Sequence, residues 1–163
     1  MSGVPKDCKV QIFSDVASRD GLGAVLLDKK GWGDELLEVF RDDTEHSLTV
    51  RVFHRSVSDA ALHATLSHAL RELDPFVDGT RLVNAHVPPI VHEGGGAVDT
   101  VSSSTVQRSA FLRKDGSLIY DRRDVATAEA ELGNSTIPCL VQRPDPRTGE
   151  PHVECWLVEI DSQ

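Results

Sequence analysis

The sequence predicts an α+β fold with a mainly antiparallel sheet, built from hairpins and two or three helices. Several short segments of alternating apolar residues occur in pairs separated by turn residues, which is typical of antiparallel hairpins. One longer segment has the apolar spacing of an amphipathic helix. The pattern does not alternate strands and helices regularly, as a parallel sheet would require. At 163 residues, we expect a single domain over 1–163.

Three pairs of segments are predicted to form hairpins. In each pair, two strand-like segments flank a short stretch that contains Asp, Gly or Pro. The pairs are Leu36–Phe40 with Leu48–His54, Ala110–Lys114 with Ser117–Asp121, and Pro138–Arg143 with His152–Ile160. The middle pair surrounds Asp115-Gly116, which is the dipeptide that a type I′ turn needs.

The longest predicted helix follows the first hairpin. Ser56 or Ser58 can cap its N-terminus, and Asp59 lies in the first turn, where negative charge is favourable. Asp74-Pro75 ends the helix, because the residue before a proline is kept out of the α region. Apolar residues at helical spacing form one stripe, which consists of Leu62, Leu66, Ala69, Leu70 and Leu73.

Four further elements complete the predicted order. Cys8–Val16 alternates and is expected to be the opening strand, and Arg81–Val87 is expected to be another. A short helix is expected over 22–28, where a strand is the competing interpretation, and another over Val125 to Leu132. The succession of hairpin, helix and strand from Leu36 to Val87 suits a β-grasp-like or a ferredoxin-like sandwich.

A segment rich in Gly, Ser and Thr at about 92–106 has no periodicity and predicts a long loop within the domain. Loops beyond ~12–15 residues are uncommon in compact domains and are usually functional or disordered. The two interpretations are a solvated surface excursion and a binding loop or lid.

Charge and composition argue against several classes of partner. The chain has 26 acidic and 17 basic residues and a net charge of −9, whereas nucleic-acid binding depends on Lys and Arg. We therefore expect no nucleic acid and no membrane among its partners. The sequence has no apolar run near the ~20 residues of a membrane span, and its N-terminus lacks the pattern of a secretory signal. Three cysteines form an odd and sparse set, so a cytoplasmic location is expected.

One acidic segment is the best lead to a binding site. Residues 34–45 hold six carboxylates and one arginine, so they carry −5 of the net −9. The six are Asp34, Glu35, Glu38, Asp42, Asp43 and Glu45. They form either a solvated hairpin or a docking surface for a basic protein partner, because clustered like charge steers association. The segment lacks the ligand pattern of an EF-hand calcium loop.

Residues for catalysis are harder to find. His86 and His92 flank the long loop, and Glu93 or Asp99 could serve as a carboxylate partner in a small enzyme site at its mouth. The sequence contains no phosphate-binding loop, dinucleotide fingerprint or nucleophile elbow. No catalytic residue, metal ligand or cofactor is therefore assigned.

Two pairs of side chains are candidates for metal or redox chemistry. His63 and His68 are five apart on the predicted helix, about 140° around its axis, so they cannot hold one metal from one face. Cys139 and Cys155 lie on the two arms of the last hairpin, where they are expected to face each other. They are either buried reduced thiols or a redox pair.

The sequence therefore favours a non-catalytic protein-interaction module or subunit. An immunity-type or antitoxin-like neutraliser of a basic protein partner is one form of it. The alternatives are the small enzyme with a His–carboxylate site at the loop 92–106 and a redox-responsive protein that uses Cys139 and Cys155. The oligomeric state is left open.

Overall fold

Most of the chain is described by the computed structural model, which covers residues 6–17, 19–30, 33–86, 106–113, 117–119, 123, 127, 130, 136–145 and 147–159. Among these residues, eight strands form one sheet: β1 Cys8–Asp15, β2 Gly21–Asp28, β3 Glu35–Asp42, β4 Ser47–Val52, β5 Val106–Leu112, β6 Leu118–Ile119, β7 Thr136–Pro144 and β8 Pro151–Glu159. Helix α1, Asp59–Leu73, packs on this sheet, and the 3₁₀ turn Leu82–Asn84 follows it.

The sheet is mixed, and its strand order is β1-β2-β3-β4-β7-β8-β5-β6. The first four strands form an antiparallel meander. β4 then pairs in parallel with β7, and β8 pairs in parallel with β5. The β7–β8 and β5–β6 pairs are antiparallel. Two parallel contacts between distant segments therefore join three locally formed antiparallel units into one sheet.

The predicted α+β fold with two or three helices is wrong: the described part of the chain is mostly sheet with a single helix. The segment 22–28 belongs to strand β2, because it is enclosed between β1 and β3 and is buried on both faces. A short apolar run that is buried on both sides loses its alternation, and periodicity cannot then separate strand from helix. The eight-strand order also departs from the β-grasp-like and ferredoxin-like arrangements.

Other elements agree with the sequence in part. The opening strand and the pairing of all three hairpins are confirmed. Over its described part, residues 81–86, the expected strand Arg81–Val87 is wrong, because the chain forms a 3₁₀ turn and His86 makes one isolated bridge, to Ser47. The Asp115-Gly116 turn, nearly all of the loop 92–106, and most of Val125 to Leu132 lie outside the described residues.

Helix α1 forms where its sequence predicts it. The Ser58 hydroxyl accepts a hydrogen bond from the Ala61 amide at 3.1 Å, which caps the N-terminus, and Asp74 ends the helix. The stripe of apolar residues is buried against the sheet. At 15 residues α1 is too short to cross a bilayer, and no other helix in the described ranges could do so.

The two faces of the sheet differ in what covers them. We call the side on which α1 packs the helix face; it carries the main core, including Leu26, Val39, Val50, Val141 and Trp156. We call the opposite side of β1–β4 the open face. Because side chains alternate along a strand, Phe13, Val25, Glu38, Phe40 and Arg51 belong to the open face.

Arg41 fastens the C-terminus of α1 to the sheet. Its Nη1 donates hydrogen bonds to the carbonyl oxygens of Leu73 at 2.7 Å and Pro75 at 2.6 Å. Its Nη2 donates to Asp43 Oδ2 at 3.0 Å, and Asp43 Oδ1 accepts from the Val77 amide at 2.9 Å. One arginine on β3 thus satisfies carbonyls that the end of a helix leaves without partners.

We predict that Arg41→Ala lowers the free energy of unfolding by about 3 kcal/mol, because it leaves the buried Asp43 carboxylate without its counter-charge and the part-buried Leu73 carbonyl without its side-chain donor. Urea denaturation measures this. The matched control is Arg51→Ala, which removes an exposed guanidinium that lies over the Phe53 ring, at a cost of about 1 kcal/mol or less. Equal losses in the two variants would show that Arg41 has no anchoring role.

Candidate functional site

The six carboxylates of the acidic segment do not form one surface. Glu38 is almost buried and lies 2.6 Å from Arg19, and Asp43 is held by Arg41. Asp42 accepts hydrogen bonds from the Thr44 and Glu45 amides and so stabilises the β3–β4 turn. Three of the six predicted carboxylates therefore bind groups of their own chain: two bind arginine side chains and Asp42 binds backbone amides.

The remaining three carboxylates are exposed but separated. Asp34 and Glu35 lie at the start of β3, and Glu45 lies in the turn beyond its end. Strand β3 has 8 residues, which at ~3.4 Å per residue places the two groups more than ~20 Å apart. Glu35 lines a concave surface together with the nearly buried Glu38, so Glu35 is the exposed carboxylate of the acidic segment that can serve in a binding site there.

That concave surface lies on the open face of β1, β2 and β3. It has a volume of about 400 Å³ and is open to solvent. We call it the open-face groove; it is lined by Gln11, Phe13, Arg19, Val25, Leu27, Glu35 and Glu38. Both acidic and apolar groups therefore face the same space.

Strand pairing and glycine explain why the groove forms here. Phe13 pairs with Gly23 across β1 and β2, and Gly23 pairs with Phe40 across β2 and β3. The Phe13 ring lies directly over Gly23: a Cβ atom there would be 2.3 Å from the ring. The absence of a side chain lets Phe13 lie across the sheet, with its ring centroid 6.3 Å from that of Phe40.

Arg19, in the turn between β1 and β2, lies over this aromatic pair. Its guanidinium carbon is 3.9 Å from the Phe40 ring centroid and 6.0 Å from that of Phe13. Its Nη1 donates to Glu38 Oε1 at 2.6 Å and its Nε donates to Asp15 Oδ2 at 3.0 Å. These contacts, the Glu38 hydrogen bond above all, raise the pKa of Arg19.

The groove thus already holds one guanidinium between aromatic rings and carboxylates. Stacking on a ring face and bonding to a carboxylate are the two interactions that favour arginine over other cations. Glu35 and Gln11 are exposed at the rim of the same groove and offer further acceptors. The lining therefore combines an internal Arg19–Glu38 ion pair with one exposed carboxylate, Glu35. No local sequence pattern indicates this pair, because Arg19 and Glu38 are 19 residues apart.

A second group of charges lies on the helix face and is buried. Glu154 is 1% exposed; its Oε1 accepts from Trp156 Nε1 at 2.9 Å and from Arg143 Nη2 at 3.3 Å, and its Oε2 lies 2.9 Å from His152 Nε2. Arg143 Nη1 also donates to Asp59 Oδ1 at 3.0 Å. This network joins β7 and β8 to the first turn of α1.

The arrangement around Glu154 suits anchoring better than catalysis. Both carboxylate oxygens are engaged, and a general acid or base needs an oxygen within reach of a substrate. The sequence held a sign of the network that our prediction missed: His152, Glu154 and Trp156 alternate on one side of a strand, and that side continues with the core residue Val158. A carboxylate at such a position requires buried partners.

We predict that Glu154→Gln lowers the free energy of unfolding by about 3 kcal/mol, because Arg143 then lacks its buried counter-charge. Chemical denaturation monitored by circular dichroism measures the loss. Glu72→Gln, on the exposed side of α1, is the control and should change stability by less than about 0.5 kcal/mol. A loss no larger than the control's would mean that the network contributes little.

The histidine and carboxylate residues of the enzyme hypothesis are only partly placed. His86 is exposed beside the β3–β4 turn, and its amide donates to the His46 carbonyl at 2.7 Å. His92, Glu93 and Asp99 lie outside the described residues, so the hypothesis is untested. In the described ranges, no group of three or more His, Cys, Asp and Glu side chains is arranged to hold a metal ion.

The expected meeting of Cys139 and Cys155 across the last hairpin is wrong. Cys139 pairs with Trp156, and Cys155 pairs with Leu140. Paired residues share a face and neighbours alternate, so the two thiols lie on opposite faces of the sheet. Cys139 is in the main core, where burial raises the pKa of its thiol to about 12. The observed pairing of β7 with β8 differs by one residue from the pairing expected from the sequence. A shift of one residue places the two side chains on opposite faces.

We predict that mild oxidation forms no Cys139–Cys155 disulfide in the native protein. Burial raises the pKa of both thiols, so their thiolate fraction at neutral pH is small, and Cys139 should react with a thiol reagent only after unfolding. Mass spectrometry of labelled peptides with and without urea measures this. A 139–155 linked peptide from the folded protein would contradict the register.

Comparisons of this chain with protein-family models, with curated proteins and with solved structures gave no match.

Proposed function

We propose that this protein is a non-catalytic interaction module that binds a basic segment of a protein partner in the open-face groove. The observation that carries the proposal is the way Arg19 is held there, over Phe40 and bonded to Glu38. Arg19 contacts an aromatic ring and a carboxylate in the groove, and these are the two kinds of group that bind an arginine or lysine side chain of a partner. The exposed Glu35 adds a hydrogen-bond acceptor at the rim.

The charge of the whole chain supports a basic partner. A net charge of −9 attracts a cationic protein over distances longer than the contact itself and raises its rate of association. The apolar floor, including Val25 and Leu27, can bury the aliphatic stems of lysine or arginine while their charged ends reach Glu35. Neutralising a basic protein in the cytoplasm, as an immunity or antitoxin protein does, is one role that fits.

The structure changes which residues should be tested. Reversing the charge of Glu38 or Asp43 would break an internal ion pair and damage the fold as well as any binding surface. Asp34 and Glu35 are exposed, and no described ion pair engages Glu35. Charge reversal at Glu35 therefore reports on binding with the least disturbance of the fold.

We predict that Glu35→Lys weakens binding of a basic peptide at least about tenfold, equivalent to about 1.4 kcal/mol. The probe is a fluorescein-labelled octapeptide of alternating Arg and Val, titrated with the full chain and followed by fluorescence anisotropy at several salt concentrations. The salt dependence of the binding constant should also become shallower, because one charge pair is lost.

The matched control is Glu72→Lys, which makes the same change of net charge on the exposed side of α1. It should alter the dissociation constant less than about twofold at physiological salt, because screening removes distant charges. If both variants weakened peptide binding equally, the effect would come from net charge alone, and this result would contradict a binding site at the groove. A peptide of alternating Glu and Val that binds as well as the basic one would contradict the choice of partner.

A further inference from the structure

One edge of the sheet is an unusually open strand. β1 has 8 residues and forms one end of the sheet, and among the described residues no strand pairs with its outer side. The strand at the other end, β6, has 2 described residues. A short edge strand offers little to pair with, whereas a long regular one is a template for another strand.

The hydrogen-bond pattern shows which residues of β1 face outward. The Lys29 amide donates to the Asp7 carbonyl, so in an antiparallel pair every second residue after Asp7 also bonds to β2. The amide and carbonyl groups of the intervening residues point away from the sheet. These residues are Cys8, Val10, Ile12 and Ser14.

The same four residues carry their side chains on the helix face, where α1 does not fully cover them. Ile12 is 39% exposed and Val10 is half-buried at the border of the main core. An added strand would therefore gain backbone hydrogen bonds and bury apolar side chains at once. Proteins usually protect such an edge with a proline, a bulge or charged side chains. β1 has no proline and no bulge, and its two charged residues, Lys9 and Asp15, lie on the open face.

We propose that β1 pairs antiparallel with β1 of a second copy of this chain, with the two-fold axis at Ile12. In this register, Ile12 lies opposite its own counterpart and Val10 lies opposite Ser14, so outward-facing backbone groups meet. On the open face, Lys9 of each copy lies opposite Asp15 of the other. The strand is thus complementary to itself in backbone pattern, and Lys9 meets an acidic side chain that also accepts a hydrogen bond from Arg19 of its own chain.

Pairing of this kind joins the two sheets into one and brings two open-face grooves side by side. Phe13 and Gln11 line the groove and belong to β1, so each groove borders the two-fold axis. Three strand spacings of ~4.8 Å separate the two β2 strands, which places the groove centres about 14 Å apart. The dimer does not depend on what the groove binds.

The test is sedimentation equilibrium of the full chain, whose monomer mass is 17.8 kDa. We expect a reversible dimer of about twice this mass. Ile12→Pro removes an outward amide without breaking a bond to β2, and should raise the dimer dissociation constant at least about tenfold. Lys9→Asp should raise it about tenfold, because like charges then meet twice in the symmetric dimer.

Lys6→Asp makes the same charge change as Lys9→Asp but lies before β1, so it should leave the dimer constant within about twofold. Circular dichroism of Ile12→Pro separates loss of pairing from loss of fold, and Lys9→Asp gives an answer even if the proline variant unfolds. A wild-type chain that stays monomeric, or a dimer that both β1 variants leave unchanged, would overturn the proposal. Glu35→Lys should retain the dimer, so the two proposals can fail separately.

Discussion

The structure depends on how one helix of 15 residues is held on a sheet of eight strands. The helix is about 22 Å long, whereas seven strand spacings extend over about 34 Å. Its position is fixed by an arginine at each end: Arg143 bonds to Asp59 in the first turn, and Arg41 bonds to the carbonyls of Leu73 and Pro75 at the other end. With the helix placed there, the outer strand β1 is incompletely covered on the helix face.

Charge in this protein serves two purposes that composition alone cannot separate. Glu38, Asp43 and Glu154 are largely buried and engaged by arginines, so they stabilise the fold. Glu35 is exposed in the lining of the open-face groove. Counting carboxylates along 34–45 suggested one acidic docking surface, but strand geometry assigns its members to different environments. The groove is also defined by Phe13 and Arg19, which are outside that segment.

Local features of the fold were predictable and long-range ones were not. The Ser58 cap, the apolar stripe of α1 and the turn residues of the hairpins act within a few positions of the chain, and sequence patterns record them. The parallel β4–β7 and β8–β5 contacts join distant segments, and β2 lost its alternation because both its faces are buried. The groove escaped prediction for a similar reason, since Arg19 meets Glu38 only after β1, β2 and β3 have paired.

The central claim is that the open-face groove of β1–β3 binds cationic segments. Nuclear magnetic resonance of the ¹⁵N-labelled chain titrated with the Arg–Val octapeptide tests it most directly, because the shifts of individual amides locate the contact. The account predicts saturable shifts concentrated at Gln11, Phe13, Leu27 and Glu35. Shifts confined to the surroundings of Glu154 and His152, or scattered over the whole acidic surface without saturation, would contradict it.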